Sequence, residues 1–246
     1  MAPPELATLP ERPATPAGAS AHQAGARALP RLYSYFRSSA AYRVRIALAL
    51  KGLAYETVPV HLVKDGGQQH ASGYRSANPQ GLVPALQPAE GGPVLAQSLA
   101  IMEYLDEVHP QPALLPADAL GRARVRALAQ MVACEIHPLN NLRVLQYLTQ
   151  ELGVSGAQKD AWYAHWVALG LQAVEDSLAR SPDTGRFCHG DTPGLADCCL
   201  VPQIFNAQRF KVSLDGLPRT MGAFEACMAL PAFQQAQPSA CPDNEA

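Results

Sequence analysis

The chain of 246 residues is long enough for two modest domains, each able to bury most of its own apolar surface. With 48% hydrophobic and 16% charged residues, a packed core is attainable and general disorder is excluded. A formal charge of -2, no run of five basic residues and no apolar stretch of about 18 residues argue against nucleic acid, a membrane surface and a membrane span.

Small molecules or proteins are therefore the expected partners. The opening MAPPELATLPERPATPAG lacks the apolar centre of a secretory signal, so the cytoplasm is the expected compartment. Residues 1–29 are rich in Ala, Pro, Gly and Ser without an apolar period and read as a flexible tail. From Leu32, LYSYF reads as a strand, and RSSAAYRVRIALALKG as a loop entering a helix with Val44, Ala47, Leu48 and Leu50 on one face, stopped by Gly52. AYETVPV is a short strand whose Pro59 places it at a sheet edge. After a mobile-looking connection over residues 63–81, LVPALQP and VLAQS form a hairpin around GGP. The helix LAIMEYLDEV then carries Ile101, Met102, Leu105 and Val108 until His109-Pro110 stops it. The order βαβ then ββα is thioredoxin-like, and it assigns residues 30–110 to one α/β domain.

A Pro-rich linker, HPQPALLPADALG, follows. Two long helical patterns, Arg122 to Gln150 and Ala157 to Arg180, define an all-α domain over 118–246. Within it, Asp197 stands three residues after Gly194 and is assigned a structural role, accepting the Gly194 N–H at a buried helix start. The six cysteines form no CxxC pair and no metal-like spacing with His, so they read as free, buried thiols and no metal is expected.

The chemistry concentrates where strands end and helices begin. Ser38 and Ser39 open the first helix, whose unpaired N–H groups and positive dipole end stabilise an anion such as a thiolate. The alternative is an N-cap, weighed more heavily for Ser39 than for Ser38. Val83-Pro84 is a candidate cis bond that leaves the Val83 backbone to pair with an extended peptide. Gln97-Ser98 opens another helix and can hold a carboxylate, or cap it. Together these sites would hold a thiol, a peptide backbone and an α-carboxylate, the three handles of glutathione.

The segments LYSYFRSSAAYRVRIALALKGLAYETVPVHLVKDGGQQ, NPQGLVPAL, QSLAIMEYL and DCCLVPQIFNAQRFKVSL resemble the zeta class of glutathione transferases, from about Leu32 to Asp243. The resemblance implies the glutathione transferase fold, a homodimer, and glutathione-dependent maleylacetoacetate isomerisation in tyrosine or phenylalanine breakdown. Maleylpyruvate isomerisation, a broader transferase or dehalogenase acting on small α-halo acids, and a binding module without turnover stay open beside it. By the same resemblance, Ser38 stabilises the thiolate with Ser39 beside it. Gln69, Val83, Gln97, Ser98, His137, Asn141 and Arg143 line the glutathione cleft. Arg37, Arg143 and Arg209 are the candidate clamps for the carboxylates of a small maleyl diacid, because a guanidinium offers a bidentate fork. The family motif Ser-Ser-Cys reads Ser-Ser-Ala here, with Ala40 in the third place. Glutathione brings the nucleophilic sulfur, so the departure bears on thiolate tuning rather than on the addition itself.

Overall fold

The computed structural model describes residues 28–244, so all but the last two residues of the expected tail lie outside it. The chain runs β1 (Arg31–Ser34), α1 (Ser39–Leu50), β2 (Glu56–Pro59), α2 (Ser72–Ala77), β3 (Ala85–Gln87), β4 (Leu95–Ala96) and α3 (Ser98–Val108). These strands form one mixed sheet in the order β2-β1-β3-β4. β1 pairs parallel to β2 with Leu32 opposite Thr57, and antiparallel to β3 with Leu32 opposite Leu86. This is the expected thioredoxin-like arrangement, with Pro59 on the edge strand, where a missing N–H interrupts pairing least. The connection over 63–81 departs from expectation, because two 3-10 turns and α2 order it. Tyr74 is buried and donates to Leu82 O, Asn78 Nδ2 donates to the same carbonyl at 2.8 Å, and Gln68 Oε1 accepts from His61 N.

Helix α1 is the axis of the molecule. A single apolar face was expected, but α1 lies between α3 on one side and two C-terminal helices, α7 (Leu195–Arg209) and α9 (Pro231–Ala236), on the other. It is therefore buried nearly all round, Arg43 and Arg45 included. Its end is built as expected: Gly52 takes φ +64°, which lets Leu53 N donate to Leu48 O. The C-cap residue Lys51 buries its side chain and donates to Asp106 Oδ1, His109 O and Pro112 O at 2.6–2.8 Å, tying α1 to the end of α3 and to the linker. Removing one partner of such a buried pair costs about 3–5 kcal/mol.

The remaining elements among the described residues are helical. They comprise α4 (Ala119–Gln130), α5 (Leu142–Gln150), α6 (Gly156–Arg180), α7, α8 (Pro218–Met228) and α9. The single helix expected from Arg122 to Gln150 is broken into α4, a π turn over Met131–Ile136, a 3-10 turn over His137–Asn140, and α5. Pro138 is the cause: it has no N–H to donate, and its ring would strike the carbonyl four residues earlier, so the helix widens before it and restarts after it. Gly170 lets α6 press against this break, since a Cβ there would lie 2.3 Å from Ile136 Cγ1. Helix α6 starts on the reciprocal capping box of Ser155 and Gln158. Among the described residues no helix is long and apolar enough to cross a membrane.

All six cysteines are free, but Cys134 is exposed rather than buried, because it lies in the widened turn that Pro138 imposes. Cys198 and Cys199 are fully buried, and burial pushes the Cys199 thiol up to about 11, which removes it from thiolate chemistry at neutral pH. Asp197 holds the start of α7 as expected. Its Oδ2 accepts from Gly194 N at 2.8 Å, and its Oδ1 accepts from Cys188 N at 2.9 Å. At 1% exposure, its removal strands two backbone donors, each worth about 1–3 kcal/mol. Asp197→Ala should therefore lower the unfolding free energy by about 2–5 kcal/mol in urea titration, whereas Asp197→Asn should recover part of the loss by keeping one acceptor.

Candidate active site

Ser38 is the N-cap of α1, with φ −71° and ψ 117°, and its Oγ accepts from Ala41 N at 3.2 Å. The cap is thus Ser38 and not Ser39, which the sequence had favoured for that part. Capping occupies a lone pair of the hydroxyl and leaves its proton to donate, so one side chain can both close the helix and face an anion. Ser39 is buried one residue on, and its Oγ accepts from Asn206 Nδ2 of α7 at 2.6 Å. Around the positive end of α1 opens a cleft of about 350 Å³.

The far wall of the cleft comes from the break at Pro138. His137, Asn140, Asn141 and Arg143 all line it, because the helix restarts there. Asn141 caps α5 through Oδ1 to Arg143 N at 3.2 Å, and its Nδ2 donates to His137 Nε2 at 3.3 Å. An amide nitrogen only donates, so the imidazole accepts there and carries its proton on Nδ1. Burial, with the nearby Arg43 and Arg143 cations adding to it, pushes the His137 pKa down to about 3, so the ring is neutral at physiological pH.

Arg37, Arg143 and Arg209 also line the cleft, together with Gln69 and Val83. No Asp or Glu does, and none of the three arginines is ion-paired among the described residues. The guanidiniums of Arg37 and Arg209 lie over the rings of their neighbours Phe36 and Phe210, at 4.9 and 5.1 Å, a contact that orients them without neutralising their charge. Gln69 Oε1 is buried without a hydrogen-bond partner, an acceptor that a peptide N–H would satisfy. The Val83-Pro84 bond is cis.

Gln97 and Ser98 lie beside the cleft rather than in its lining. Gln97 Nε2 donates to Gln80 Oε1 at 2.8 Å, and Gln80 is a lining residue. Gln97 also holds φ +70°, a conformation that side chains with a Cβ avoid, at the step from β4 into α3. Ser98 is 6% exposed and accepts from Arg43 Nη1 at 3.1 Å.

Tyr163, Asn206 and Phe210 line the cleft as well, and the sequence reading passed over them. Asn206 could have been found, since it stands one helical turn before Arg209 and shares its face. Tyr163 stacks on Phe210 at 3.9 Å between centroids, a contact between α6 and the end of α7 that no local pattern announces. A larger cavity of about 680 Å³ lies elsewhere, lined by apolar chains such as Leu29, Leu48, Leu86 and Val108 with Glu90 among them. It gathers no serine or arginine, so the anion chemistry belongs to the smaller cleft. Among the described residues no His, Cys, Asp and Glu group could hold a metal ion.

A thioredoxin-like sheet followed by a helical bundle, with an anion cleft at the start of α1, is the architecture of glutathione transferases. The family model for the glutathione S-transferase N-terminal domain matches residues 32–113. A maleylacetoacetate isomerase of Pseudomonas aeruginosa is 52% identical over 216 residues, covering 88% of this chain and 99% of its own. The holo structure of a maleyl pyruvate isomerase, described as a bacterial glutathione S-transferase of the zeta class, superposes with TM-score 0.83 at 49% identity, covering 87% and 100%. The crystal structure of a maleylacetoacetate isomerase from Methylobacterium extorquens AM1 with bound malonate and glutathione gives TM-score 0.83 at 40% identity, covering 88% and 100%. The chain belongs to the maleylacetoacetate isomerase family of zeta-class glutathione S-transferases.

The depressed pKa of His137 has a measurable consequence. Its folded value lies below the ordinary 6.5, so below pH 6.5 the unfolded chain takes up a proton that the folded chain refuses. This ring's contribution is nil above pH 6.5, and stability is lost as pH falls from there towards 3. The loss is at most about 1.4 kcal/mol per pH unit, and less where cleft water screens the ring. His137→Gln should flatten that part of a stability–pH curve measured by thermal unfolding, and should leave the activity profile near pH 6.5 unchanged in shape.

Proposed function

We propose that this protein is a glutathione-dependent cis-trans isomerase that converts maleylacetoacetate to fumarylacetoacetate, a step of tyrosine and phenylalanine breakdown. The observation that carries the reading is the cleft itself: a helix N-terminus capped by a serine with a proton to donate, faced by three unpaired arginines and no carboxylate. A tripeptide thiol and a diacid are the anions such a cleft fits. Glutathione, when bound, supplies the thiolate that adds reversibly across the cis double bond of the substrate. Gln69, with its unsatisfied buried acceptor, suits a peptide N–H, and Val83, His137 and Asn141 complete the wall along which the peptide lies.

In this reading Ser38 and the first turn of α1 hold the sulfur anionic, and Ser39, fixed by Asn206, keeps that turn in place. Arg143 and Arg209 pair with the carboxylates of the substrate, and Arg37 approaches from the rim. Their charge also favours the enolate that develops when the double bond is broken. His137, uncharged at physiological pH, orients Asn141 by accepting its amide proton at Nε2. The same reading places a thioredoxin-like domain at 30–110 and a helical domain at 118–246, and makes the working form a cytoplasmic homodimer. A shorter maleyl acid is the competing substrate, favoured by the likeness to a maleyl pyruvate isomerase structure.

Spectrophotometric assay of maleylacetoacetate and maleylpyruvate, each with and without glutathione, tests the proposal. Turnover of either without glutathione, or of neither with it, would overturn it, and the preferred acid names the substrate. Ser38→Ala should reduce kcat/KM by the loss of a hydrogen bond to a charged sulfur, about 1.5–3 kcal/mol. It should also lower stability by about 0.5–2 kcal/mol through the lost cap, whereas Ser39→Ala should affect turnover less. Arg143→Met and Arg209→Met should each raise KM for the diacid roughly tenfold or more, while for Arg209→Met glutathione affinity and the conjugation of a neutral electrophile stay near wild type. Equal losses on both substrates would show that the arginines serve the fold.

A further inference from the structure

Two arginines of α1 are buried, and they are provided for differently. Arg45 meets three oxygens: Ser34 Oγ, Phe36 O and Ala236 O. Arg43 is 2% exposed, makes no ion pair among the described residues, and its Nε has no hydrogen-bond partner there. Its Nη1 donates to Ser98 Oγ, the first residue of α3. Among the described residues, the thiols of Cys199 and Cys134 are the acidic groups that offset its charge, and at neutral pH burial keeps Cys199 protonated. A buried guanidinium that served the fold alone would have its N–H groups met by oxygens, as those of Arg45 are, because taking a charge out of water without such partners is costly.

What Arg43 touches suggests the counter-charge. The Ser98 hydroxyl accepts from the guanidinium and so keeps its own proton to donate onward, beside the unpaired N–H groups that open the eleven-residue helix α3. A cation behind a hydroxyl polarises it, and each bond in such a relay strengthens the next. The strained Gln97 that precedes Ser98 fixes the direction in which this helix end faces, next to the cleft through Gln80.

We propose that Arg43 positions and polarises Ser98, already read as holding a carboxylate of glutathione at the start of α3, and that this carboxylate is the counter-ion the buried guanidinium lacks. The inference rests on the glutathione reading above and deepens it. Arg43 does not touch the ligand; its charge reaches the carboxylate through Ser98. Discrimination between glutathione and an analogue without that carboxylate is then set largely by a residue the ligand never meets.

The test compares wild type, Arg43→Met and Ser98→Ala by calorimetric titration with glutathione and with two analogues, each lacking one of its two carboxylates, alongside the melting temperature of the ligand-free proteins. In wild type one analogue should bind at least tenfold more weakly than glutathione. In both variants that ratio should fall to threefold or less. Ligand-free Arg43→Met should melt at or above wild type, because an apolar chain replaces an unpaired buried charge. A ligand-free Arg43→Met protein that is unfolded or melts lower would show that the guanidinium serves the fold, and would overturn the inference. So would a ratio that Arg43→Met or Ser98→Ala leaves at its wild-type value. Wild type that binds no glutathione would instead overturn the reading on which the inference rests.

Discussion

The guanidinium of Arg45 lies buried between the turn that leaves β1 and the C-terminal helices, and it donates at once to Ser34 Oγ, Phe36 O and Ala236 O. No shift of α1 or of α9 can occur without stranding that charge, and a stranded buried charge costs more than most packing defects. The active-site turn is clamped from the same side. Phe36 N donates to Asp243 Oδ2 at 2.9 Å, and Tyr42 OH donates to Phe233 O at 3.3 Å. The residues that lead into Ser38 are thus held by a segment some two hundred positions away. The thiolate site proposed at Ser38 needs its donors fixed before the charge arrives, and this clamp fixes the turn that carries them.

The cleft is electrostatically one-sided. Three arginines, a positive helix end and a neutral imidazole face it, with no carboxylate in its lining. Like charges so placed repel one another, and the arrangement persists because water screens the rim and because anions are its natural occupants. The neutrality of His137 belongs to the same picture. With Arg43 and Arg143 both raising the cost of its proton, a cationic ring would add a further repulsion, so the imidazole serves as an acceptor for Asn141.

The proposed site lies where helices fail or begin. Ser38, Asn141 and Ser98 stand at three helix starts, and Pro138 creates one of them by ending α4 early. Each start leaves N–H groups unsatisfied, and the fold turns the ends of α1 and of the Pro138 break toward one cleft, with that of α3 beside it.

The sequence by itself determined the element types and order of the sheet domain, apart from α2. Apolar spacing located β1, α1, β2, the hairpin and α3, Gly52 marked the end of α1, and the Gly194–Asp197 spacing marked the start of α7. Local motifs at strand ends and helix starts also named Ser38, Ser39 and Val83 in the cleft lining, whereas Gln69, His137, Asn141 and Arg143 came only through the family resemblance. What it misjudged depends on neighbours that are distant in the chain. Pro138 was legible as a residue, yet the widened turn it induces, the exposure of Cys134 and the presentation of His137 needed α6 packed at Gly170 to take their form. The cap of α1 went to Ser38 rather than Ser39 because Asn206, 167 residues on, claims the Ser39 hydroxyl. The single apolar face read for α1 became burial all round once α7 and α9 covered the other side. Periodicity records what each segment must hide; which partner hides it, and which polar group is left facing the ligand, is decided only when the segments meet.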